Sequence, residues 1–148
     1  MPILFYTKTD EYGDFSNFSN HGIEMDGEWY RTVEHYFQSQ KFDDVEHRSA
    51  IRNSPSAKTA AELGRSRAIP IRPDWEDIKV QIMRDAVLKK FQTHNAAREL
   101  LLSTGSESLI ENAPGDFFWG CGKDGTGLNW LGRILEEVRE ELRGDVPK

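Results

Sequence analysis

Glu34-His35-Tyr36-Phe37-Gln38-Ser39-Gln40-Lys41 is the segment best placed to do chemistry. On a helix, residues four and seven apart share a face, so Glu34, Gln38 and Lys41 line up. A carboxylate and an amine on one face offer a proton donor or acceptor and a potential nucleophile. The plainer alternative is a surface ion pair. His35 points elsewhere and reads as a hydrogen-bonded structural residue.

Residues 115–127 form a second cluster, with five glycines that end where a last helix begins. Gly120, Gly122 and Gly125 match G-x-G-x-x-G literally. A dinucleotide-binding unit needs a strand before that motif and a βαβ crossover after it, and only one helix follows. Lys123 precedes Asp124 and no Ser or Thr, so the segment is not a phosphate-binding P-loop of the Walker type either. Two readings stay open. Loop amides leading into a helix N-terminus can cradle an anion, or the glycines serve a packed turn. Asp116 supplies a second candidate carboxylate, and Cys121 reads as a small packed thiol.

A third group joins the loop Asp14-Phe15-Ser16-Asn17-Phe18 to Gly64-Arg65-Ser66-Arg67 and Asp74-Trp75. Phe15, Phe18, Trp75 and Trp119 are candidates to hold a planar ring, Asn17 to read its polar edge, and Arg65 or Arg67 to pair with phosphate. A plain aromatic core is the competing reading. His21, His35, His47 and His94 are scattered without metal-ligand spacing, and no G-x-S-x-G elbow is present, so neither a metal nor a serine-hydrolase site is expected.

The elements that must position these groups follow from periodicity. Ile3 to Tyr6 reads as extended, and Gly22 to Tyr30 as a hairpin turning at Met25-Asp26-Gly27. Helices are predicted over Val33 to Lys41 and Val45 to Arg52, and from a Ser54-Pro55 start to Leu63, with Gly64 as the stop. A long helix starts at Pro73-Asp74-Trp75, with Trp75, Ile78, Ile82, Met83, Ala86, Val87 and Phe91 on its apolar stripe. Asn95 is read as the cap of the next helix, which ends at Thr104-Gly105, and Leu128 to Leu142 lie along the last. The class is mainly α with a small N-terminal antiparallel β element.

Size and charge bound the rest. A chain of 148 residues fits one compact domain, 1–148. A net charge of −6 argues against a nonspecific grip on duplex phosphates. A single cysteine excludes an internal disulfide framework, and no apolar run approaches a membrane span. A soluble, cytoplasmic protein without an obligate protein partner is expected.

In order along the chain, the motifs resemble the NADAR family of YbiA-like N-glycosidases. The matching pieces are Phe15-Ser16-Asn17-Phe18, Glu28-Trp29-Tyr30, the Glu34 to Phe42 segment, Leu63-Gly64-Arg65, Asp74-Trp75 and Lys90-Phe91. Leu109-Ile110-Glu111, Asp116-x-x-Trp119-Gly120-x-Gly122 and Gly127-x-Asn129-x-Leu131-Gly132 before Arg139 complete them. Phe118 stands where the family more often has another aromatic, and Trp130 is bulky for its place.

The resemblance implies a YbiA-like fold and cleavage of a C–N glycosidic bond between a ribose-type sugar and a base or amine. Two substrate classes go with it: phosphoribosylamino-pyrimidine intermediates of riboflavin biosynthesis, and ADP-ribose on guanine in nucleic acid, DNA included. Glu34 and Lys41, with Asp116 second to Glu34, are the expected catalytic residues. Phe15, Ser16, Asn17, Phe18, Gln38, Arg65, Trp75, Glu111, Trp119, Gly120, Gly122 and Asn129 are the expected substrate contacts. No metal and no cofactor is expected. A module that binds ADP-ribose without cleaving it is the alternative.

Overall fold

Asp26 and Gly27 both take positive φ, 54° and 82°, as an Asp-Gly hairpin turn requires. They fold β2 (Ile23–Met25) back on β3 (Glu28–Tyr30), antiparallel, with Ile23 opposite Tyr30. In the computed structural model, which describes residues 1–144, helices dominate and the expected class holds. The chain divides into two units: Asn20–Lys90, and Met1–Ser19 together with the chain from Phe91 onward.

In the unit 20–90, α1 (Val33–Ser39) packs on α2 (Val45–Arg52) and α3 (Ala57–Arg65). Thr32 caps α1, its hydroxyl accepting the His35 amide at 3.1 Å. Phe42 just after α1, Ile51 on α2 and Ala60 on α3 form a buried cluster with Leu63, Ile69 and Ile71 against it. Long α4 (Trp75–Thr93) begins in this unit and buries Trp75, Met83, Ala86 and Val87 of the predicted stripe.

The other unit is built on β1 (Ile3–Phe5), parallel to β4 (Leu109–Glu111). Phe15, in a short 3-10 turn (Gly13–Phe15), has its ring 5.8 Å from Phe5 and 6.1 Å from Phe91. Helix α6 (Trp130–Gly144) lies on β4 and packs on α5 (Asn95–Ser103). Gly132 permits that approach: a Cβ there would stand 2.0 Å from the Leu109 carbonyl. Buried Arg139 ties α6 to the end of α5, donating to Thr104 Oγ1 at 2.9 Å and to the Glu107 carbonyl at 2.8 Å.

Several boundaries differ from the sequence reading. Helix α1 stops at Ser39, so Lys41 sits in the turn that follows it. Ser56, not Ser54, caps α3, because Ser56 is extended and its hydroxyl accepts the Thr59 amide. Gly64 lies inside α3 instead of ending it. Asn95 is the first residue of α5, and its side chain takes Arg98 instead of a backbone amide. The last helix starts at Trp130 because Asn129, at φ 53°, has left-handed backbone. Strand β4 was not among the predicted elements.

Candidate active site

Glu34 is buried near the start of α1, and Gln38, one turn on, donates Nε2 to Glu34 Oε2 at 2.8 Å. The other end of the Gln38 amide presses on α3. A Cβ on Gly64 would lie 1.9 Å from Gln38 Oε1, so the glycine leaves room for the Gln38 amide in its present rotamer. Glu34 and Gln38 thus keep the helical spacing read from the sequence.

Lys41 reaches the same place by another route. Its amide donates to the Gln38 carbonyl at 3.2 Å, which curls the chain back, and its half-buried side chain donates Nζ to the Gly64 carbonyl at 3.1 Å. That carbonyl lies in the last turn of α3, where backbone oxygens lack helical partners and carry the negative end of the dipole. Arg67 Nη1 donates to the same oxygen at 3.1 Å. Burial pushes the Lys41 amine below the usual lysine range, Arg67 lowers it further, Glu34 opposes, and Lys79 and Arg65 add to the lowering. The direction follows from charge: desolvation and neighbouring cations disfavour an ammonium, while a carboxylate favours it. An amine that holds its proton less tightly than an ordinary lysine, beside a carboxylate, suits attack on an electrophilic carbon once deprotonated.

Two of the expected ring contacts are core residues. Phe15 is 1% exposed, between Phe5, Phe91 and Tyr12, and Trp75 is 4% exposed, its ring 5.0 Å from Phe37. Rings this enclosed have no free face for a ligand, so the competing reading as core wins at both. Phe18 and Asn17 are half-buried, while Ser16 is buried with its hydroxyl accepting the Phe18 amide at 3.1 Å. Arg65 is exposed at the end of α3.

In the unit of β1 and β4, the glycine loop closes on itself. Asp116 Oδ1 accepts the amides of Phe118 at 3.0 Å and Trp119 at 2.8 Å, and the Asp116 carbonyl accepts the Gly122 amide at 3.1 Å. The Gly122 N–H is therefore spent inside the loop and does not point at an anion. The Gly120 carbonyl accepts the Asn129 amide at 2.9 Å, and Gly120 itself is buried. Asn129 works for the sheet: Oδ1 accepts the Glu111 amide at 3.0 Å and Nδ2 donates to the Leu109 carbonyl at 2.9 Å. With both ends of its amide on β4, Asn129 acts as a backbone clamp. Trp119 is half-exposed, edge-on to Phe118 at 4.8 Å, and Glu111 is half-exposed on β4.

Three residues matter more than their sequence signal suggested. In the sequence Gly64 reads as a helix stop and Arg67 as one of two phosphate partners, while Lys79 carries no signal of its own. The doublet Arg65 and Arg67 after a glycine was a visible cue for the second; nothing in the local pattern marked Lys79, which pairs with Glu76 at 2.7 Å. Among the described residues, no group of three or more His, Cys, Asp or Glu could hold a metal ion, and no helix is long and apolar enough to cross a membrane.

The sequence model of the NADAR domain matches residues 4–143. An N-glycosidase of Nostoc punctiforme is 51% identical over 97% of this chain and 94% of its own. The chloroplastic riboflavin biosynthesis protein PYRR of Zea mays is 42% identical over 98% of this chain, which corresponds to 26% of that longer protein. The NMR structure of the Escherichia coli protein YbiA matches with a TM-score of 0.89 and 46% identity, covering 97% of this chain and 85% of that one.

Proposed function

The chain belongs to the NADAR family, and on that premise we propose that it hydrolyses the C–N bond between a phosphorylated ribose and an amino-pyrimidine. It is an N-glycosidase, as its relatives at about half identity over most of their length are. The observation that carries the substrate class is the likeness to a riboflavin biosynthesis protein across 98% of the chain. A net charge of −6 favours a small anion held by local cations over a nucleic-acid duplex. ADP-ribosylated guanine is the second substrate class. All 148 residues act as one NADAR domain in this reading.

Breaking the bond at C1′ develops positive charge on the sugar, and the Glu34 carboxylate stabilises it. Neutral Lys41 attacks C1′ while the bond electrons leave with the base nitrogen, which takes up a proton. Opening of the sugar ring then gives an imine to Lys41, and water hydrolyses it to release the sugar and restore the amine. In the simpler variant Lys41 stays protonated and orients Glu34, and water attacks directly. Arg65 suits the phosphate, and Gln38 holds Glu34. No metal takes part, so turnover survives exhaustive chelation.

Incubation with a phosphoribosylamino-pyrimidine and, in parallel, with ADP-ribosylated guanine tests the assignment by chromatography. Release of the free amino-pyrimidine at the higher kcat/KM is the expected result. Preferred release of guanine transfers the assignment to the second class, and binding of both without release of either base overturns it.

A further inference from the structure

Two cations that repel each other share one oxygen. Lys41 Nζ and Arg67 Nη1 each donate to the Gly64 carbonyl at 3.1 Å, which puts the two nitrogens no more than about 6 Å apart. Lys41 comes to that oxygen from 23 residues before Gly64, Arg67 from three residues after it. The site is built for the pair. The backbone oxygen lies in the last turn of α3, where it is attractive to cations. Arg67 is braced there by a second bond, to the Ser66 carbonyl at 3.3 Å.

The geometry points to Arg67 as the residue that positions and activates Lys41, acting through the carbonyl the two share. This rests on the reading of Lys41 as the attacking amine. A carbonyl with two lone pairs accepts both bonds, so Arg67 does not displace the lysine. Its guanidinium keeps its proton at every working pH, so the charge beside Lys41 is constant. The charged groups that face Lys41 from the packed elements are Glu34 on α1, Arg65 and Arg67 at and after the end of α3, and Lys79 on α4. Of these, Arg67 acts most strongly on the amine, and in the direction that frees it of its proton; only Glu34 opposes. Lys79 and Arg65 contribute less, and Lys79 is neutralised in part by Glu76. Arg67 thus lets a lysine remain anchored beside a carboxylate without being locked in its ammonium form.

Arg67→Gln keeps a donor for the Gly64 carbonyl and removes the charge, while Arg67→Lys keeps the charge. Arg67 is exposed, so both variants retain the core. Competitive acetylation of the full-length protein without substrate, read at Lys41 by peptide mass spectrometry across pH, reports the ionisation of the amine without turnover. Two unit charges about 6 Å apart in a water-like medium shift each other by roughly half a pH unit, more where water is partly excluded. The labelling midpoint of Arg67→Gln is therefore expected at least about half a unit above the wild type, with Arg67→Lys close to wild type. The acid limb of kcat/KM should move up by a similar amount. An unmoved labelling midpoint in Arg67→Gln overturns the role, as does a rise in KM alone, which is the signature of a phosphate contact. Full activity in Lys41→Ala instead overturns the nucleophile reading beneath it, so the two failures are separable.

Discussion

Gln38 donates to Glu34 across one turn of α1, 2.8 Å from Nε2 to Oε2, and so fixes the rotamer of a buried carboxylate. A charge meant to stabilise a cationic transition state is most effective when it is already aimed and needs no reorganisation. Glu34→Gln keeps the shape and removes the charge. It should lower kcat by about 100-fold or more while the circular dichroism spectrum and Tm stay near wild type. Gln38→Ala, which frees the carboxylate without removing it, should cost less. Turnover by Glu34→Gln within a few-fold of wild type would remove Glu34 from the mechanism.

Lys41 gives a covalent signature if it attacks C1′. Borohydride added during turnover should reduce the imine and leave a sugar adduct on the Lys41 peptide, detectable by mass spectrometry. Because the neutral amine is the reactive form and its environment favours loss of the proton, kcat/KM should rise with pH and level off below the ordinary lysine value of about 10.4. No adduct on an active enzyme, or substantial turnover by Lys41→Ala, assigns the attack to water.

His35 makes the fold sensitive to mild acid. It is buried, with Nε2 against the Ser54 carbonyl at 3.1 Å, so Nε2 carries the proton and Nδ1 accepts from the Thr32 hydroxyl at 2.8 Å. Burial lowers its pKa below the ordinary histidine value of 6.5, the Ser54 carbonyl opposes, and Arg31 lowers it further. Between the folded value and 6.5 the unfolded chain binds more protons, so stability rises with pH through that window and is lost as pH falls through it. Urea unfolding at pH 7.5 and below 6 should show that loss, and His35→Asn should flatten it. An unchanged slope in the variant would point to other groups.

Two alanine substitutions separate the site from the scaffold. In Gly64→Ala the new methyl meets only the end of the Gln38 side chain, which can swing away, and Ala is the better helix former by about 1 kcal/mol. Stability should change little while kcat falls with the displaced Gln38. In Gly132→Ala the methyl meets the Leu109 backbone oxygen and the Asn129 amide, which cannot move without pulling α6 off β4. That change should cost about 3 kcal/mol and lower Tm by roughly 5–10 °C. Equal Tm losses in the two variants would refute the distinction.

The sequence alone determined which segments are helical and that Glu34 and Gln38 share a face. A 3.6-residue repeat and a four-residue spacing are local, so the chain near each residue carries the whole signal. The Asp26–Gly27 turn was legible for the same reason, since its backbone angles are a property of two residues. Tertiary structure decided what local pattern does not encode. Nothing near Ile3 says that its partner is Leu109, because a parallel pair closes a loop whose length leaves no periodic trace. Residue type made Phe15, Trp75 and Asn129 candidates for binding, but burial put the two rings in the core, and the Asn129 amide bonds β4 at both of its ends. Lys41 shows the division most sharply. Its spacing from Glu34 was readable, whereas the charge that loosens its proton depends on Arg67 meeting it at the Gly64 carbonyl, and Coulomb energy follows distance in space and not along the chain.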